Sequence, residues 1–339
     1  MMGAKNSLLA YLEANRGEFC SGEEISKKLG VSRTMVWKRV KELQSQGYLI
    51  TATRNRGYML EEETDILSAE GIAKYLVGPA SDLKIEVVDE TESTNLDLRR
   101  RAEQGAHEGL VLLARRQTAG RGRRGRGFYS PDSGIYLSLL LRPTGVPATP
   151  ALLFTTITAI AVCEAIEAFE PGFEARVKWV NDIIFRGRKV CGILTDGHVS
   201  MENMALEYMV VGVGANLYRP DDDFPASLQG IAGAISETSR GDGKNRFVAE
   251  FLNRFTHRRL KNDSADDLEQ YRKRLLGRGR KATICLPSGK KRDATIIDVD
   301  DKYRLIVEYD DGTREHLAFG EISARPNELL DPSERLTQG

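Results

Sequence analysis

Apolar residues recur at helical spacing through the first part of the chain. A first helix is indicated by three of them, Leu8, Leu9 and Leu12. Ser21 and Ser32 stand where N-caps would begin a second helix and a third over residues 33–46. The third helix is predicted to be amphipathic. Its apolar residues Val36, Val40 and Leu43 share one face, and its basic residues lie on the other.

Residues 48–60 predict a β-hairpin with basic residues at its tip, which completes a winged helix-turn-helix. Residues 1–60 hold ten lysines and arginines against five acidic residues, although the whole chain has a net charge of zero. This local excess indicates a polyanionic partner. The residues expected to contact DNA are Ser32, Arg33, Thr34, Lys38, Arg39, Arg54 and Arg56. A protein-interaction module is the alternative, because winged helices also serve that role.

Further along, two apolar strands are predicted over residues 110–114 and 134–141, and a cationic loop joins them. Six arginines lie between Arg115 and Arg126, glycine recurs at 120, 122, 125 and 127, and no acidic residue lies between Gly109 and Pro131. Glycine lets backbone N–H groups approach a ligand, and arginine suits carboxylate and phosphate. The pattern therefore predicts an anion-binding loop held at both ends by a sheet.

Three other interpretations of this loop remain open. Arginine-glycine segments also bind RNA, but usually in long low-complexity tails rather than between apolar strands. The spacing of glycines 120, 122 and 125 matches G-x-G-x-x-G, yet a strand follows where a dinucleotide-binding turn would open a helix. A solvated arginine loop without function is the third.

Polar residues also mark the ends of other predicted elements. Ser93, Thr94 and Asn95 stand at a helix start, where hydroxyl and N–H groups could meet a small polar ligand, or where one of them could simply cap the helix. A strand over residues 177–184 and a second from residue 189, joined by a tight turn, are expected to form a hairpin. This hairpin carries four charged or polar residues beside apolar ones, Lys178, Asn181, Asp182 and Lys189, and a glycine-containing strand then ends at Asn216.

Apolar and polar residues alternate in the C-terminal part, which predicts short strands over residues 282–286, 293–298, 304–309 and 315–319. Turn signals at residues 287–289 and 310–312 separate them, which predicts a small SH3-like barrel.

Composition limits the function classes. The chain has 339 residues and only four cysteines, which are far apart. We therefore expect neither a disulfide framework nor a tightly bound metal, and we expect a cytoplasmic protein. The four histidines are also scattered. The longest apolar run, around residues 151–163, is too short to cross a bilayer, so no membrane partner is expected.

Taken in order, these motifs resemble the biotin protein ligase family, and the winged helix in front resembles its bifunctional members, the biotin operon repressors. The motifs are Ser93-Thr94-Asn95, the arginine-glycine loop over 120–126, residues 178–182, residues 188–194 and residues 212–216. The resemblance implies an α+β protein: a winged helix-turn-helix over 1–62, a mixed α/β, class II synthetase-like catalytic domain over 63–275, and an SH3-like domain over 276–339.

The family's chemistry would run in two steps. Biotin's carboxylate attacks the α-phosphate of ATP, which is bound with Mg²⁺, to give biotinyl-5′-AMP and pyrophosphate; a lysine of a biotin carboxyl carrier protein then takes the biotinyl group. The implied catalytic residues are Lys189, Arg123, Arg121 and Asp182, with Asp182 also near Mg²⁺. Biotin would meet Ser93, Thr94, Asn95, Gln117, Gly120, Arg121, Arg123, Lys189 and Gly192. ATP would meet Arg123, Arg126, Phe128, Lys178, Asn181, Asn216 and Arg325.

The resemblance also implies a homodimer on operator DNA, formed when biotinyl-AMP orders surface loops. An adenylate-responsive repressor without ligase activity is the alternative, but Lys189, Arg123 and Asp182 favour catalysis. The sequence departs from the family at Phe128, where tryptophan is frequent, and at Val180, where proline is. Phe128 offers a purine less stacking area than tryptophan would, whereas the loss of the proline is expected to matter little for the chemistry.

Overall fold

A computed structural model describes residues 7–143, 151–199, 206–286, 288–318, 321–323 and 329. Within these ranges the fold is α+β in three parts, as predicted. The predicted divisions at residues 62 and 275 fall between regular elements.

The N-terminal part is a winged helix. Its elements are α1 (Leu8–Ala14), α2 (Gly22–Leu29), α3 (Arg33–Ser45), β1 (Ile50–Thr53) and β2 (Gly57–Leu60). Ser21 and Ser32 cap α2 and α3, because their side chains accept hydrogen bonds from the backbone N–H groups of Glu24 and Met35. Val36 and Val40 of α3 are buried in the small core, so the basic side of α3 faces outward.

A seven-stranded mixed sheet forms the centre of the molecule, in the order β3-β4-β5-β9-β8-β7-β6. Its strands are β3 (Lys84–Thr91), β4 (Leu110–Gln117), β5 (Ile135–Leu141), β6 (Arg176–Lys178), β7 (Asp182–Phe185), β8 (Arg188–Val199) and β9 (Leu206–Ala215). Only β3 and β4 pair in parallel. The helices α4 (Ala69–Ala73), α5 (Thr94–Glu103), α6 (Ala151–Phe169), α7 (Gly243–Lys261) and α8 (Ser264–Arg274) surround it.

The two faces of the sheet are covered differently. Valines 211 and 213 of β9 lie in the large core that α6 and α7 cover, whereas α5 covers the opposite face with its own smaller core. Because successive side chains of a strand point to opposite faces, Gly212 and Gly214 lie on the α5 side and leave space there. This space becomes the cavity described below.

Helix α6 is longer than the apolar run predicted. Its residues 152–169 have a mean hydropathy of 1.8 and form a helix long enough to cross a membrane. The expectation that the apolar run is too short to cross a bilayer was therefore wrong. Two-thirds of these residues, 67%, are buried inside the protein. The helix is apolar because it packs against the sheet on one side and α7 on the other.

The expected strand over residues 177–184 is two strands. Lys178 of β6 pairs with Asp182 of β7, so the chain turns back at residues 179–181. The turn includes a cis peptide bond between Trp179 and Val180. Two hydrogen bonds between Asn181 and the backbone of Ile193 hold it against β8, at 2.9 Å each. The tight turn that was predicted before residue 189 is present, with Arg186 and Gly187 between β7 and β8.

The C-terminal part is an antiparallel sheet in the order β13-β12-β11-β10-β14, consistent with the predicted SH3-like domain. Its strands are β10 (Lys281–Cys285), β11 (Lys291–Val299), β12 (Leu305–Tyr309), β13 (Arg314–Leu317) and β14 (Glu321–Ser323). It joins the central domain through a buried contact, in which the Trp179 indole donates to the Tyr303 carbonyl oxygen at 3.0 Å. Within the central domain, the Tyr271 hydroxyl of α8 donates to the Val180 carbonyl oxygen of the same turn, at 3.2 Å. The C-terminal part therefore supports the turn at residues 179–181.

A buried group of four charges connects the winged helix to the central domain. Glu13 lies in α1 and Arg16 two residues after its end, Lys74 follows α4, and Asp242 precedes α7. The Lys74 ammonium lies 2.6 Å from a carboxylate oxygen of both Glu13 and Asp242. Arg16 also donates to the carbonyl oxygen of Thr64, at 2.8 Å. The two acidic side chains are only 1% and 3% exposed, so each depends on its cationic partners.

Candidate active site

One cavity of about 280 Å³ lies where α5, the arginine loop and strands β8 and β9 meet. Fourteen of the residues predicted from the sequence line it: Ser93, Thr94, Asn95, Gln117, Arg121, Arg123, Arg126, Phe128, Lys178, Asn181, Asp182, Lys189, Gly192 and Asn216. Gly120 is buried beside the cavity, at a position where a Cβ would lie 2.6 Å from the Phe128 carbonyl oxygen. Arg325 lies outside the described residues.

Hydroxyl and amide groups line one end of the cavity. The side-chain oxygen of Gln117 accepts from the Thr94 backbone N–H at 2.9 Å, and its amide nitrogen donates to the Ser130 hydroxyl at 3.1 Å. Ser130 in turn donates to the Phe128 carbonyl oxygen at 2.8 Å. These bonds fix the direction of the Gln117 amide, because each end meets a group of the matching kind.

Asn95 is held on every side by the protein. Its amide nitrogen donates to the Leu194 carbonyl oxygen and to Asp196, both at 3.1 Å, and its oxygen lies 2.5 Å from the Ser138 hydroxyl. Gly212 makes room for it, since a Cβ there would lie 1.9 Å from the Asn95 oxygen. This geometry indicates a structural task for Asn95 at the cavity wall, and direct contact with biotin stays a prediction.

The Phe128 ring lies on the glycine positions of the sheet. A Cβ at Gly214 would meet the ring at 2.7 Å and one at Gly192 at 3.3 Å, so only glycine lets the ring lie this close to the strands. Tyr136 packs against its edge, with the ring centroids 6.3 Å apart. Phe128 thus forms an aromatic part of the cavity wall.

The arginine loop is a small hairpin over the cavity. Residues 121 and 127 form a bridge, and the Gly122 N–H donates to the Arg126 carbonyl oxygen at 2.7 Å. The guanidinium of Arg123 donates to the Asn181 side-chain oxygen at 3.0 Å, which joins the loop to the turn at residues 179–181. Arg121 lies 3.3 Å from Glu92 at the surface.

The charged end of the cavity is strongly cationic. Among the described lining residues, six are cationic and one is acidic: Arg121, Arg123, Arg124, Arg126, Lys178, Lys189 and Asp182. The Lys189 ammonium lies 2.6 Å from Asp182, and these side chains are 33% and 26% exposed. A cavity with this excess of positive charge suits a substrate that carries several negative charges.

Mg²⁺ fits this donor set only as an ion that arrives with phosphate. Among the described residues there is no group of three histidine, cysteine or acidic side chains that could hold a metal. Asp182 supplies one carboxylate, which is what Mg²⁺ commonly takes from a protein when phosphate oxygens and water complete its shell.

The chemistry of the cavity does not depend on a thiol nucleophile. Cys191 lines the cavity but is completely buried, and burial raises the pKa of its thiol well above the ordinary value. The thiolate is therefore scarce at neutral pH.

Sequence reasoning missed an apolar wall. The lining includes four side chains from the segment after Asn216, namely Phe224, Leu228, Ile231 and Ala232, and one from β14, Ile322. Asn216 anchors that segment, because its amide donates to the Gly233 carbonyl oxygen at 3.0 Å. The segment has no motif or regular periodicity, so only the position of Asn216 at a strand exit pointed toward it.

Of the residues predicted to contact DNA, Arg33, Thr34 and Arg54 line one groove between α3 and the hairpin, whereas Arg39 lines another between α3 and the central domain. Arg33, Thr34 and Lys38 are exposed, Arg39 is partly buried, and the guanidinium carbon of Arg56 lies 3.9 Å from the centre of the Phe19 ring. The sequence did not single out Trp37, which is 50% exposed on the same helix.

Comparison with known proteins agrees with this architecture. Residues 85–216 match the Biotin/lipoate A/B protein ligase family, and residues 5–59 match a family described as an HTH domain. The bifunctional ligase/repressor BirA of Bacillus spizizenii is 36% identical over 236 residues, which are 69% of this chain and 71% of that protein. A biotin--[acetyl-CoA-carboxylase] ligase of Mycobacterium tuberculosis is 31% identical over 248 residues, 71% of this chain and 90% of that protein.

A solved structure shares the fold. The biotin protein ligase from Aquifex aeolicus, in complex with biotin and ATP, aligns with a TM-score of 0.59 at 23% identity and covers 71% of this chain and 97% of that one. The cavity, the two matched families and the identity over more than two-thirds of the chain agree, and the chain belongs to the biotin protein ligase family, in the form that carries an N-terminal helix-turn-helix domain.

Proposed function

We propose that the cavity joins biotin to ATP and then passes the biotinyl group to a lysine of a biotin carboxyl carrier protein. The observation that carries this proposal is the cavity itself, which has uncharged polar groups around Thr94 and Gln117 at one end and cations around Lys189 at the other. Biotin has the matching polarity, with an uncharged urea ring at one end and a carboxylate at the other. The urea therefore binds near Thr94 and the carboxylate near Lys189.

In the first step a carboxylate oxygen of biotin attacks the α-phosphorus of ATP, an O–P bond forms, and pyrophosphate leaves. Both reactants are anions, so cations must offset their repulsion. Lys189 lies where it can contact the reacting carboxylate and phosphate, and Arg121, Arg123 and Arg126 lie on the loop above. Asp182 would hold Mg²⁺ as its one protein carboxylate, and the ion would supply further charge neutralisation on the phosphates.

The nucleoside lies toward the apolar wall. Phe128 covers one face of the base, and Lys178, Asn181 and Asn216 contact the phosphates and the ribose. We propose, from the family resemblance alone, that Arg325 contacts the nucleotide as well. This wall also excludes water from the mixed anhydride, which would otherwise hydrolyse.

In the second step the neutral amine of the carrier lysine attacks the acyl carbon. A C–N bond forms, the bond to the phosphate oxygen breaks, AMP leaves, and the amine proton passes to solvent. Biotinyl-AMP is already an activated acyl donor, so the protein supplies position and charge rather than a nucleophile. Asp182 accepts a hydrogen bond from the incoming amine once Lys189 has turned to the ligand.

Transfer of biotin tests this proposal. The protein is incubated with biotin, MgATP and a biotin carboxyl carrier domain, and the carrier is weighed as an intact molecule. The carrier should gain one biotinyl group, and Lys189→Ala should abolish or severely reduce the gain. Lys281→Ala is the matched control, because Lys281 forms a similar 2.7 Å pair with Asp310 at the surface and does not line the cavity. Absence of both transfer and biotinyl-AMP with the unchanged protein would refute the proposal.

A second function, DNA binding, is favoured by the basic surface of the winged helix. Arg33 and Thr34 would enter the major groove of an operator, with Lys38, Arg54 and Arg56 on the flanking backbone. We infer that the chain acts as a cytoplasmic homodimer on two half-sites about 34–36 Å apart. Selection from random-sequence duplexes, with and without biotinyl-AMP, tests this: recovery of a palindrome that Arg33→Ala no longer retains is expected, and recovery of no sequence would refute it.

A further inference from the structure

Ser138 of β5 is a completely buried hydroxyl that lies behind the polar end of the cavity without lining it. Its oxygen lies 2.5 Å from the side-chain oxygen of Asn95 and 2.8 Å from the hydroxyl oxygen of Thr94. Thr94 does line the cavity. A hydroxyl has one proton, so Ser138 can donate to only one of these two neighbours.

The direction of that proton follows from Asn95. The Asn95 amide nitrogen faces two acceptors, the Leu194 carbonyl oxygen and Asp196. The other end of the amide is therefore its oxygen, which can only accept. Ser138 must donate to it, since otherwise two acceptor oxygens would lie 2.5 Å apart in a buried place.

The direction of the Thr94 proton follows in turn. Because the proton of Ser138 points to Asn95, the 2.8 Å contact between Ser138 and Thr94 needs the proton of Thr94. The alternative acceptor for that proton, the side-chain oxygen of Gln117, is farther away at 3.2 Å and already accepts from the Thr94 backbone. Thr94 then turns a lone pair toward the cavity.

We propose that Ser138 is a specificity-determining residue, which acts by fixing the Thr94 hydroxyl as a hydrogen-bond acceptor toward the ligand. An acceptor at this point selects a ring N–H, as a cyclic urea has, over a ring with sulfur or another acceptor in the same place. The inference rests on the proposed biotin site and names the group in this chain that sets the polarity of its polar end.

A double-mutant cycle tests this inference, with biotin binding measured by titration calorimetry. Ser138→Ala should weaken binding about five- to tenfold, the effect of one lost hydrogen bond. In a Thr94→Val background, which removes the hydroxyl but keeps the shape, Ser138→Ala should change the affinity less than twofold. Equal losses in both backgrounds would show that Ser138 acts on the fold alone, and would overturn the inference.

The control for a buried hydroxyl is Thr158→Val. Thr158 is also completely buried, and its hydroxyl donates to the Phe154 carbonyl oxygen within α6. Its loss should leave biotin affinity unchanged. A second readout is transfer from preformed biotinyl-AMP at saturation, whose rate should be the same for Ser138→Ala and the unchanged protein, because the residue acts on ligand selection and not on the transfer step.

A measurement on the unchanged protein keeps the inference testable if Ser138→Ala fails to fold. Biotin methylated at either ring nitrogen replaces one N–H by an N–CH₃, and one of the two isomers should bind at least tenfold more weakly than biotin. Equal binding of both isomers and biotin would overturn the role of Thr94 and Ser138 while leaving the ligase intact. Failure of biotin itself to bind would refute the proposed function as well.

Discussion

Arg16, just after the first helix, and Asp242, just before α7, lie 3.1 Å apart although 226 positions separate them in the chain. Neither side chain is more than 10% exposed. Lys74 and Tyr75 contact the same carboxylate, so Asp242 has partners from two domains. The winged helix is thus fixed to the catalytic domain by charge pairing as well as by the chain.

Asp242→Asn should destabilise the protein strongly. The amide keeps the shape but leaves the buried cations Arg16 and Lys74 short of one negative charge, which costs about 3–5 kcal/mol for a buried pair. Urea unfolding measures the change. Glu237→Gln is the control, since Glu237 pairs with Arg219 at the surface with 65% of its side chain exposed, and it should change stability by less than about 1 kcal/mol. Equal effects would contradict this account.

Gly212→Ala should abolish biotin binding without unfolding the protein. The added Cβ would lie 1.9 Å from the Asn95 oxygen, so Asn95 must leave its place and the start of α5 must shift with it. Calorimetry with biotin and circular dichroism measure the two effects. Gly22→Ala is the control, because its Cβ would meet only the Tyr58 ring, at 3.6 Å. Normal biotin affinity of Gly212→Ala would show that Asn95 is not needed.

The C-terminal sheet should lose stability between about pH 4 and pH 2. Burial alone would raise the pKa of Asp300, but hydrogen bonds from His316 and from the side chain and backbone of Arg304 outweigh it and lower the pKa to about 2. Since the folded pKa lies below the unfolded one, the stabilisation is complete above the unfolded value and disappears as pH falls through the folded value.

The size of this effect is roughly 2 kcal/mol. It is measured as the pH dependence of the free energy of unfolding. Asp300→Asn should remove the dependence in this window, whereas Asp310→Asn, at an exposed pair with Lys281, should leave it in place. A dependence unchanged in Asp300→Asn would assign it to other carboxylates.

Measurements of DNA affinity should distinguish the phosphate contacts of α3 from its base contacts. Lys38→Ala should weaken binding to all duplexes alike and reduce the slope of log K against log salt by about 1, because one phosphate contact is lost. Arg33→Ala should instead cost about 1–3 kcal/mol on the selected sequence and less on others. Fluorescence anisotropy at several salt concentrations distinguishes these results, and identical behaviour of the two variants would refute the assignment.

The arginine loop should gain protection from amide exchange when biotinyl-AMP binds. A ligand with several negative charges would add contacts to the four cavity-lining arginines, so the hairpin of residues 121–127 should open less often when the ligand is bound. Exchange measured by mass spectrometry gives the difference. Equal protection of residues 120–127 with and without the ligand would contradict this prediction, and peptides from β9 in the core serve as the internal reference.

Much of the site could be predicted because its residues occur in short local patterns. Ser93, Thr94 and Asn95 at a helix start and the glycines of β9 each have a recognisable sequence context. The residues that escaped prediction depend on contacts between distant segments. Ser138 is one polar residue within an apolar strand, and its meaning appears only when α5 is placed against β5.

The fold shows the same division between local and distant information. The helices, caps and most strands follow from hydrophobic spacing. The hairpin of β6 and β7 was predicted as one strand, because the hydrogen bonds of Asn181 to Ile193 that hold the turn come from a different strand. Similarly, the pairing of Glu13 with Lys74 could not be foreseen from residues that each look like surface charges.

The charge cluster of Glu13, Arg16, Lys74 and Asp242 limits how freely this winged helix could be exchanged for another in an engineered chimera. A foreign DNA-binding domain grafted at residue 62 would bring neither Glu13 nor Arg16. Lys74 and Asp242 would remain in the junction without the other two charges of the cluster, although the junction packs around all four. A functional graft would therefore need to carry counterparts of Glu13 and Arg16 together with the new recognition helix.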